Sequence, residues 1–318
     1  MDKNAKIYVA GHRGLAGSSI MRQLDNQGYT NIVTRIHSEL DLTDQLAVRH
    51  FFKTEKPEYV FLAAAKVGGI HANKTYPADF IFSNLAIQTN VIHEAYINNV
   101  KRLIFLGSSC IYPRDCPQPI KEEYLLTGPL EYTNRAYALA KIAGVEMCGS
   151  YNRQYGTHNI AIMPTNLYGP GDNYDIENNH VIAALIKKFH DAMIKNQPRV
   201  VIWGTGSPRR EFLYSEELAE ASIYIAQLSS DRYENILKAE FPLINVGYGE
   251  DLTIKDLALT IKKIIGFKGE IDFDASRPNG TPRKLIDSTT INQLGWSPKV
   301  SLTEGIKMTY QDFLKRYK

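Results

Sequence analysis

Short runs of continuously apolar residues alternate with helical patterns in the first half of the chain, and this alternation constrains the fold more than any other feature. The apolar runs cover residues 6–10, 32–36, 59–65, 103–106 and 160–163. Between them, residues 15–24 and 78–97 carry apolar side chains at spacings of three and four. Strands that are apolar at every position are covered on both faces. The pattern therefore predicts an α/β fold, a Rossmann-type doubly wound parallel sheet.

The pattern loosens after about residue 170, where turn-rich stretches separate single helices and strands. We expect residues 1–169 to form the Rossmann domain, with segments around residues 204–247 returning to it. Residues 170–318 are expected to form mainly a smaller α/β domain that covers the substrate. The length of 318 residues allows this division, since a domain averages roughly 150 residues.

Composition excludes several classes of protein. The 37 Lys and Arg nearly balance the 34 Asp and Glu, without a long basic block, so nucleic-acid binding is not expected. No apolar run approaches the length of a membrane span, and the N-terminus lacks the apolar core of a signal peptide. Three cysteines, Cys110, Cys116 and Cys148, have no paired metal spacing. We therefore expect no metal, free thiols and a cytoplasmic location.

A glycine-rich loop follows the first predicted strand and opens the first helix. Glycines at this point permit a tight turn and let backbone N–H groups approach a pyrophosphate at the positive end of the helix. The pattern is weak alone and moderately specific in this position. The predicted nucleotide loop consists of Gly11, His12, Arg13, Gly14, Leu15, Ala16 and Gly17.

The end of the second strand indicates which dinucleotide is bound. An NAD site usually places an acidic residue there for the ribose 2′-hydroxyl. Here Arg35 and His37 stand at that point, the nearest acidic residue is Glu39, and Arg13 lies inside the glycine loop. These cations favour a 2′-phosphate and hence NADP, although Arg35 alone would also suit an exposed surface. The residues expected to border the adenine are Asp41 and Leu42.

A tyrosine and a lysine four residues apart stand on a predicted helix, Tyr137 and Lys141. This spacing puts both side chains on one face. A nearby ammonium favours tyrosinate, so we expect Lys141 to lower the pKa of Tyr137 and make it a proton donor at a carbonyl carbon. Such pairs are common by chance. However, Ser108 follows an apolar strand about thirty residues upstream, at the sheet edge where ligands bind.

The glycine loop, the strand-end serine and the Tyr-x-x-x-Lys motif, in this order, resemble the extended short-chain dehydrogenase/reductase superfamily. Further stretches resemble the GDP-L-fucose synthase family over essentially the whole chain. They are residues 63–70 (AAAKVGGI), 107–113 (GSSCIYP), 164–170 (PTNLYGP), 178–182 (NNHVI), 203–206 (WGTG), 209–212 (RREF) and 274–284 (DASRPNGTPRK).

The resemblance implies an NADPH-dependent 3,5-epimerase and 4-reductase that converts GDP-4-keto-6-deoxy-D-mannose to GDP-L-fucose. It implies that Cys110 is the base of the epimerisation and His180 the acid on the other ring face. Tyr137 would protonate the new alkoxide at C4, Lys141 would hold the nicotinamide ribose, and Ser108 would bind the keto oxygen. A lone cysteine or histidine is more often structural, and the context of Ser108 and Tyr137 reverses that balance.

The resemblance also implies contact residues and a homodimer formed by the helices that flank the Tyr-x-x-x-Lys segment. Further cofactor contacts are Ala63, Ala64, Leu106, Gly107, Lys141, Pro164, Asn166, Leu167 and His180, with His37 near the 2′-phosphate. Substrate contacts are Ser109, Asn166, Lys188, Trp203, Arg210 and Asn279. Other family members can carry Arg at position 188, Asp at position 279 and Arg at position 37.

Three alternatives stay open from the sequence. The first is an epimerase/reductase that acts on another GDP-4-keto-6-deoxy sugar, such as a heptose. The second is a nucleotide-sugar 4-epimerase that retains NAD tightly, although that cycle needs no acid/base pair such as Cys110 and His180. The third is a nucleotide sensor without catalysis, which would not need Ser108, Tyr137 and Lys141.

Overall fold

The computed structural model describes residues 1–174, 180–277 and 279–317, without the side chains of residues 70 and 71. Asn178 and Asn179 of the predicted motif lie outside the described residues, as does Pro278. The elements of the first half are β1 (Ile7–Ala10), α1 (Leu15–Asn26), β2 (Ile32–Val33), α2 (Gln45–Glu55), β3 (Tyr59–Leu62), α3 (Ile70–Thr75), α4 (Pro77–Ile97), β4 (Arg102–Leu106), α5 (Arg135–Tyr155), β5 (Asn159–Pro164) and β6 (Asn166–Tyr168).

The second half continues with shorter strands and longer connections. Its elements are α6 (Val181–Ile194), β7 (Arg199–Trp203), β8 (Arg209–Tyr214), α7 (Ser215–Gln227), α8 (Ser230–Leu237), β9 (Leu243–Val246), β10 (Asp251–Thr253), α9 (Ile254–Ile265), β11 (Glu270–Asp274), β12 (Arg283–Lys284), α10 (Thr289–Gln293) and α11 (Leu302–Arg316). No helix among the described residues is long and apolar enough to cross a membrane.

The main sheet is parallel and six-stranded, in the order β2-β1-β3-β4-β5-β9. Successive side chains of a strand point to opposite faces, and β1 shows the result. Tyr8 packs with Phe51 and Phe52 of α2 and with residues of α4 and α5, whereas Ile7 and Val9 pack with residues of α1 and α7. Both faces are thus covered by helices, as expected of a Rossmann-type fold.

A second assembly is built mainly from the C-terminal half. There β8 pairs with β10, β12 and β6, and β7 pairs in parallel with β11. A separate apolar core joins α6, α9 and α11 to these strands. Because β6 pairs with β8 while β5 belongs to the main sheet, residues 164–168 connect the two assemblies. The division at residues 169 and 170 stays a prediction.

Two strands are shorter than the sequence pattern predicts. The run at 32–36 leaves the sheet after Val33, and the run at 59–65 leaves it after Leu62. The physical reasons are local. Arg35 turns away to pair with Glu55 of α2, and the backbone of Ala63 and Ala64 packs against the glycine loop.

Candidate active site

The carboxyl ends of β1, β3, β4 and β5 meet at one edge of the main sheet, because these strands are parallel neighbours. This edge is where ligands bind in open α/β sheets. The predicted cofactor contacts therefore come together here: the 11–17 loop after β1, Ala63 and Ala64 after β3, Leu106 and Gly107 at the end of β4, and Pro164, Asn166 and Leu167 around the β5–β6 junction.

The glycine loop is packed as tightly as the sequence predicts. A Cβ atom on Gly17 would lie 2.1 Å from the carbonyl oxygen of Gly11, and one on Gly11 would lie 2.7 Å from the backbone nitrogen of Ala64. Gly11 also has a φ of +81°, which favours glycine. Gly14, by contrast, has only the Gly11 oxygen nearby, at 3.5 Å. The loop is thus closed on its protein side and open above Gly14.

This loop fits a bound dinucleotide phosphate. Gly14 is the N-cap of α1 and offers no side chain to the first N–H groups of the helix. The Nδ1 atom of His12 is buried and has no hydrogen-bond partner among the described residues, and burial lowers the pKa of His12. An anion above Gly14 would meet the free N–H groups and the positive end of the helix.

The cations at the end of β2 do not all face the cofactor site. Arg35 pairs with Glu55, donates to the carbonyl oxygen of Thr34 and lies over the ring of Phe51. These contacts hold Arg35 against α2, and its contact with a 2′-phosphate stays a prediction. Arg13 and His37 stay exposed, and His37 lies 3.9 Å from Asp41. The argument for NADP from these cations therefore rests mainly on Arg13 and His37.

The residues expected at the adenine have ordinary local roles in the structure. Asp41 accepts hydrogen bonds from the backbone and hydroxyl of Thr43, which lower its pKa. Leu42 is buried in the main core, and its carbonyl oxygen accepts a bond from Asn90 of α4. Contact of Asp41 and Leu42 with adenine stays a prediction.

Ser108, Cys110, Tyr137 and Lys141 lie together at the end of β4. Ser108 caps a short 3-10 turn over residues 109–111, with its hydroxyl accepting a bond from the backbone N–H of Cys110 at 3.3 Å. The same serine hydrogen-bonds to Tyr137, and Cys110 is close enough to Tyr137 to affect its ionisation. Ser109, by contrast, is 5% exposed inside the turn.

The charge relation between Tyr137 and Lys141 differs from the expectation. Burial raises the pKa of Tyr137, with a further increase from Cys110 and a decrease from the Ser108 hydrogen bond. Burial also lowers the pKa of Lys141 to about 7. The Lys141 amine donates to the carbonyl oxygen of Leu106 at 2.7 Å and lies over the ring of Phe105. Burial thus has a larger effect on the pKa of Tyr137 than the Lys141 amine, which was expected to lower that pKa.

Two polar side chains from distant parts of the chain contact the sulfur of Cys110. The Nδ2 atom of Asn134 lies 3.2 Å from Sγ, and the Nζ atom of Lys284 lies 3.7 Å from it. A cavity of about 50 Å³ borders these groups, with Arg114, Glu131 and Arg283 also in its wall. The thiol is therefore surrounded by hydrogen-bond donors at an accessible position.

His180 is exposed and forms the N-cap of α6. It lies near Asp172, whose pKa is raised by burial and partly lowered by the histidine charge. Asp172 is 4% exposed, and its Oδ2 atom has no hydrogen-bond partner in the described part of the chain. His180 thus affects this carboxyl electrostatically, and its role on the opposite ring face stays a prediction.

The predicted contacts for the nucleotide end of the substrate lie around the turn after β7. Trp203 is 65% exposed, with the Lys188 amine 5.4 Å from its ring centroid and the Arg277 guanidinium 5.0 Å from it. Lys188 also donates to the carbonyl oxygen of Val201, and burial lowers its pKa. The indole is thus an exposed aromatic surface flanked by two cations.

Asn279 and Arg210 complete this group. The side-chain oxygen of Asn279 accepts bonds from the backbone and hydroxyl of Thr205, and therefore holds the turn that follows Trp203. Arg210 is half-buried, burial lowers its pKa, and its Nη2 lies against Gly280. The structure thus brings Lys188, Trp203, Arg210 and Asn279 together, and their contact with a substrate stays a prediction.

Sequence reasoning missed Asn134, Arg277 and Glu211. Asn134 stands one turn before Tyr137, and this spacing was the available signal. Glu211 is fully buried and accepts bonds from the backbone N–H groups of Gly249 and Ile286, while its own carbonyl oxygen accepts one from Asn166. It positions Asn166 and the strand that carries Arg210. In the sequence, a glutamate next to two arginines suggests an exposed charged stretch, so the positioning role of Glu211 could not be predicted.

Comparison with known proteins agrees with this architecture. The sequence model of the NAD dependent epimerase/dehydratase family matches residues 7–237. GDP-L-fucose synthase 1 of Arabidopsis thaliana is 55% identical over 99% of this chain and 94% of its own. GDP-L-fucose synthase of Escherichia coli (strain K12) is 52% identical over 98% of this chain and 97% of its own.

A solved structure is similar over the whole fold. MlghC, a GDP-mannoheptose C4 reductase from Campylobacter jejuni with NADP bound, superposes with a TM-score of 0.90 at 44% identity, and 99% of each chain is covered. The chain therefore belongs to the NAD dependent epimerase/dehydratase family and is, over nearly its whole length, a relative of GDP-L-fucose synthases.

Proposed function

We propose that this chain is an NADPH-dependent 3,5-epimerase and 4-reductase that converts GDP-4-keto-6-deoxy-D-mannose to GDP-L-fucose. The observation that carries the proposal is the cluster of Cys110 with Ser108 and Tyr137 at the end of β4. A carbonyl oxygen held by the two hydroxyls would lie next to a thiol. This combination suits proton abstraction beside a ketone as well as its reduction.

In the epimerisation, the Cys110 thiolate removes the proton from the carbon next to the 4-ketone. The electron pair of that C–H bond moves to the C4 oxygen and forms an enolate, which the hydroxyls of Ser108 and Tyr137 stabilise by hydrogen bonds. His180 then delivers a proton to the opposite face of the same carbon. Cys110 then releases its proton to water and His180 takes one up, so that the same sequence can repeat at the second carbon and invert both C3 and C5.

The reduction uses the same oxygen contacts. A bound NADPH supplies the hydride for C4. Tyr137 gives its proton to the C4 oxygen as the ketone becomes an alcohol, and Ser108 keeps that oxygen in place. Lys141 contacts the carbonyl oxygen of Leu106 beside the predicted cofactor contacts, which supports its expected role in holding the nicotinamide ribose.

The nucleotide end of the substrate is proposed to lie against Trp203 and the surrounding cations. The exposed indole suits stacking with a guanine base, and Lys188 and Arg210 suit a diphosphate. Asn279 would act by fixing the turn after Trp203.

A GDP-4-keto heptose is the second candidate substrate, favoured by the similarity to a GDP-mannoheptose C4 reductase. The higher identity to GDP-L-fucose synthases, 52–55% against 44%, supports the 6-deoxyhexose.

The deciding experiment is NMR analysis of the product formed from GDP-4-keto-6-deoxy-D-mannose and NADPH in deuterated water. We expect GDP-L-fucose with deuterium at C3 and C5. A heptose preference would appear as a higher kcat/KM for the corresponding keto heptose. Reduction without deuterium at either carbon would contradict the epimerase half of the proposal.

Two variants separate the two half-reactions. Cys110→Ser should block entry of deuterium at C3 and C5, because a serine hydroxyl is a far weaker acid than a thiol. Tyr137→Phe should abolish NADPH consumption, with a loss of roughly 100-fold or more, because the C4 oxygen loses its proton donor. Tyr155→Phe on the same helix is the matched control and should keep both activities.

We also propose that two copies associate through α4 and α5, and that the chain works in the cytoplasm. The two helices pack together, with Tyr96 and Tyr155 stacked at 4.2 Å. Phe82 and Ile97 of α4 and Leu139 of α5 expose between 44% and 68% of their surface. Exposed apolar side chains on two packed helices suit a four-helix contact between copies. The free cysteines fit a reducing compartment.

A further inference from the structure

Asn134 is the N-cap of α5, yet its side chain does not cap the helix. Asparagine is favoured at this position because its oxygen can accept a bond from the first free N–H groups. Here the Oδ1 atom is buried and has no hydrogen-bond partner among the described residues. The Nδ2 atom instead lies 3.2 Å from the sulfur of Cys110. The amide thus contacts the thiol rather than the helix.

The direction of this contact follows from the second neighbour of the sulfur. Lys284 lies 3.7 Å from the same atom, and an ammonium can only donate. A sulfur that accepts a hydrogen bond from the Lys284 ammonium can accept a second one from the N–H group of Asn134. Donors of this kind stabilise a thiolate far more than a thiol, because bonds to a charged acceptor are stronger.

We infer that Asn134 is a positioning residue, which orients the Cys110 sulfur and stabilises its anionic form through the Nδ2–H···S hydrogen bond. This inference rests on the proposed function only in that Cys110 serves there as the base. Asn134 lies one turn before Tyr137 on α5, so the same helix fixes the thiol contact and the proton donor for the C4 oxygen. The spacing between thiol and hydroxyl is thereby set by one rigid element.

Other charged groups face the thiol as well, and the experiment must separate them from Asn134. Lys284 approaches from β12 and Tyr137 from α5. Arg114, Glu131 and Arg283 line the adjoining cavity. All of these remain unchanged when Asn134 alone is replaced.

The test is the pH dependence of alkylation by iodoacetamide, measured on the full chain in a Cys116→Ala background. Cys148 is fully buried, so the signal comes from Cys110. In Asn134→Ala and Asn134→Asp we expect the pH of half-maximal alkylation to rise and the rate at pH 7 to fall roughly tenfold. Asn134→Asp should fall further, since a carboxylate repels a thiolate.

Asn134→Asp shows whether the side chain matters to stability as a helix cap. Aspartate is as good an N-cap as asparagine, so a residue that merely capped α5 would be replaced without loss. The variant should therefore unfold at the same temperature as the wild type while its alkylation profile moves. An Asn134→Ala profile that coincides with the wild-type profile would overturn the inference, whatever the profile of Asn134→Asp, because only the alanine variant removes the amide without adding a charge.

Deuterium exchange distinguishes this inference from the proposed function. With the keto sugar in deuterated water, Asn134→Ala should slow exchange at C3 and C5 and leave reduction of an added, already epimerised keto sugar within twofold of wild type. If the alkylation profile shifts while Cys110→Ser exchanges at the normal rate, Asn134 does stabilise the thiolate and the assignment of Cys110 as the base is wrong.

Discussion

At the scale of single residues, the buried amine of Lys141 carries a stability cost that depends on pH. Burial lowers its pKa to about 7, whereas an unfolded lysine keeps its proton to about pH 10. Between these values the unfolded state binds more protons, so the free energy of unfolding rises with pH. Below pH 7 the amine is charged in both states and the full cost of burial is present.

Replacing Lys141 with methionine should remove this pH dependence. Relative to Lys141→Met, the wild type should gain up to about 1.4 kcal/mol of stability for each pH unit between 7 and 10. Urea unfolding at several pH values measures this difference. Lys255→Met changes an exposed lysine of α9 and should give no such trend. A constant difference between Lys141→Met and wild type from pH 6 to pH 10 would contradict the prediction.

The residues that sequence could predict at the site are those that follow strands. Ser108 and Cys110 come directly after β4, which places them at the sheet edge where ligands bind. Tyr137 is recognised by its spacing of four residues from Lys141. These chain positions alone predict that the three residues lie at one site. The donors to the thiol could not be predicted in this way. Lys284 is separated from Cys110 by 174 residues, and only the pairing of β12 with β8 brings it near.

At the scale of elements, the glycine loop and α1 offer a matched pair of substitutions. Gly17→Ala would place a methyl group 2.1 Å from the Gly11 oxygen, so the loop or the helix must move. We expect a loss of roughly 1–3 kcal/mol in the free energy of unfolding and weak NADPH binding. Thermal unfolding and a fluorescence titration with NADPH measure the two effects.

Gly14→Ala should separate binding from folding. The added methyl group meets only the Gly11 oxygen at 3.5 Å, and the φ of Gly14 is −77°, which alanine adopts freely. Stability should therefore stay within about 0.5 kcal/mol of the wild type, while NADPH affinity falls because the methyl group occupies the open side of the loop. Unchanged affinity in Gly14→Ala would mean that the phosphates bind elsewhere.

The type of each element was largely predictable, and the ends of the strands were less so. The run at 103–106 forms the strand Arg102–Leu106, and the pattern at 78–97 forms the helix Pro77–Ile97, so the limits of both are within one residue of the prediction. The second strand ends at Val33 rather than at residue 36, because the Arg35–Glu55 ion pair draws the chain away from the sheet. An apolar pattern indicates which side chains are sheltered from water, but it does not indicate which residues pair in the sheet. Ile36 belongs to the apolar run and lies beyond the end of the strand.

At the scale of the whole molecule, sequence predicted the main sheet better than the way in which the second half joins it. The apolar runs indicate parallel strands, but nothing in them predicts that β6 leaves the order of the main sheet to pair with β8. Glu211 of β8 makes contacts on both sides of this strand: its carbonyl oxygen accepts a bond from Asn166 of β6, and its buried carboxylate accepts bonds from the backbone of Gly249 and Ile286. Such long-range contacts exist only in the folded chain.

The proposed homodimer gives the prediction that belongs to this scale. Light scattering should give about twice the chain mass of 35.9 kDa. Phe82→Asp should reduce it to one chain, because a carboxylate buried in an apolar contact without a partner is costly. Leu259→Asp on α9 is the control, since Leu259 is also 46% exposed and lies outside α4 and α5. A monomeric wild type, or dissociation by both variants alike, would contradict an interface on α4 and α5.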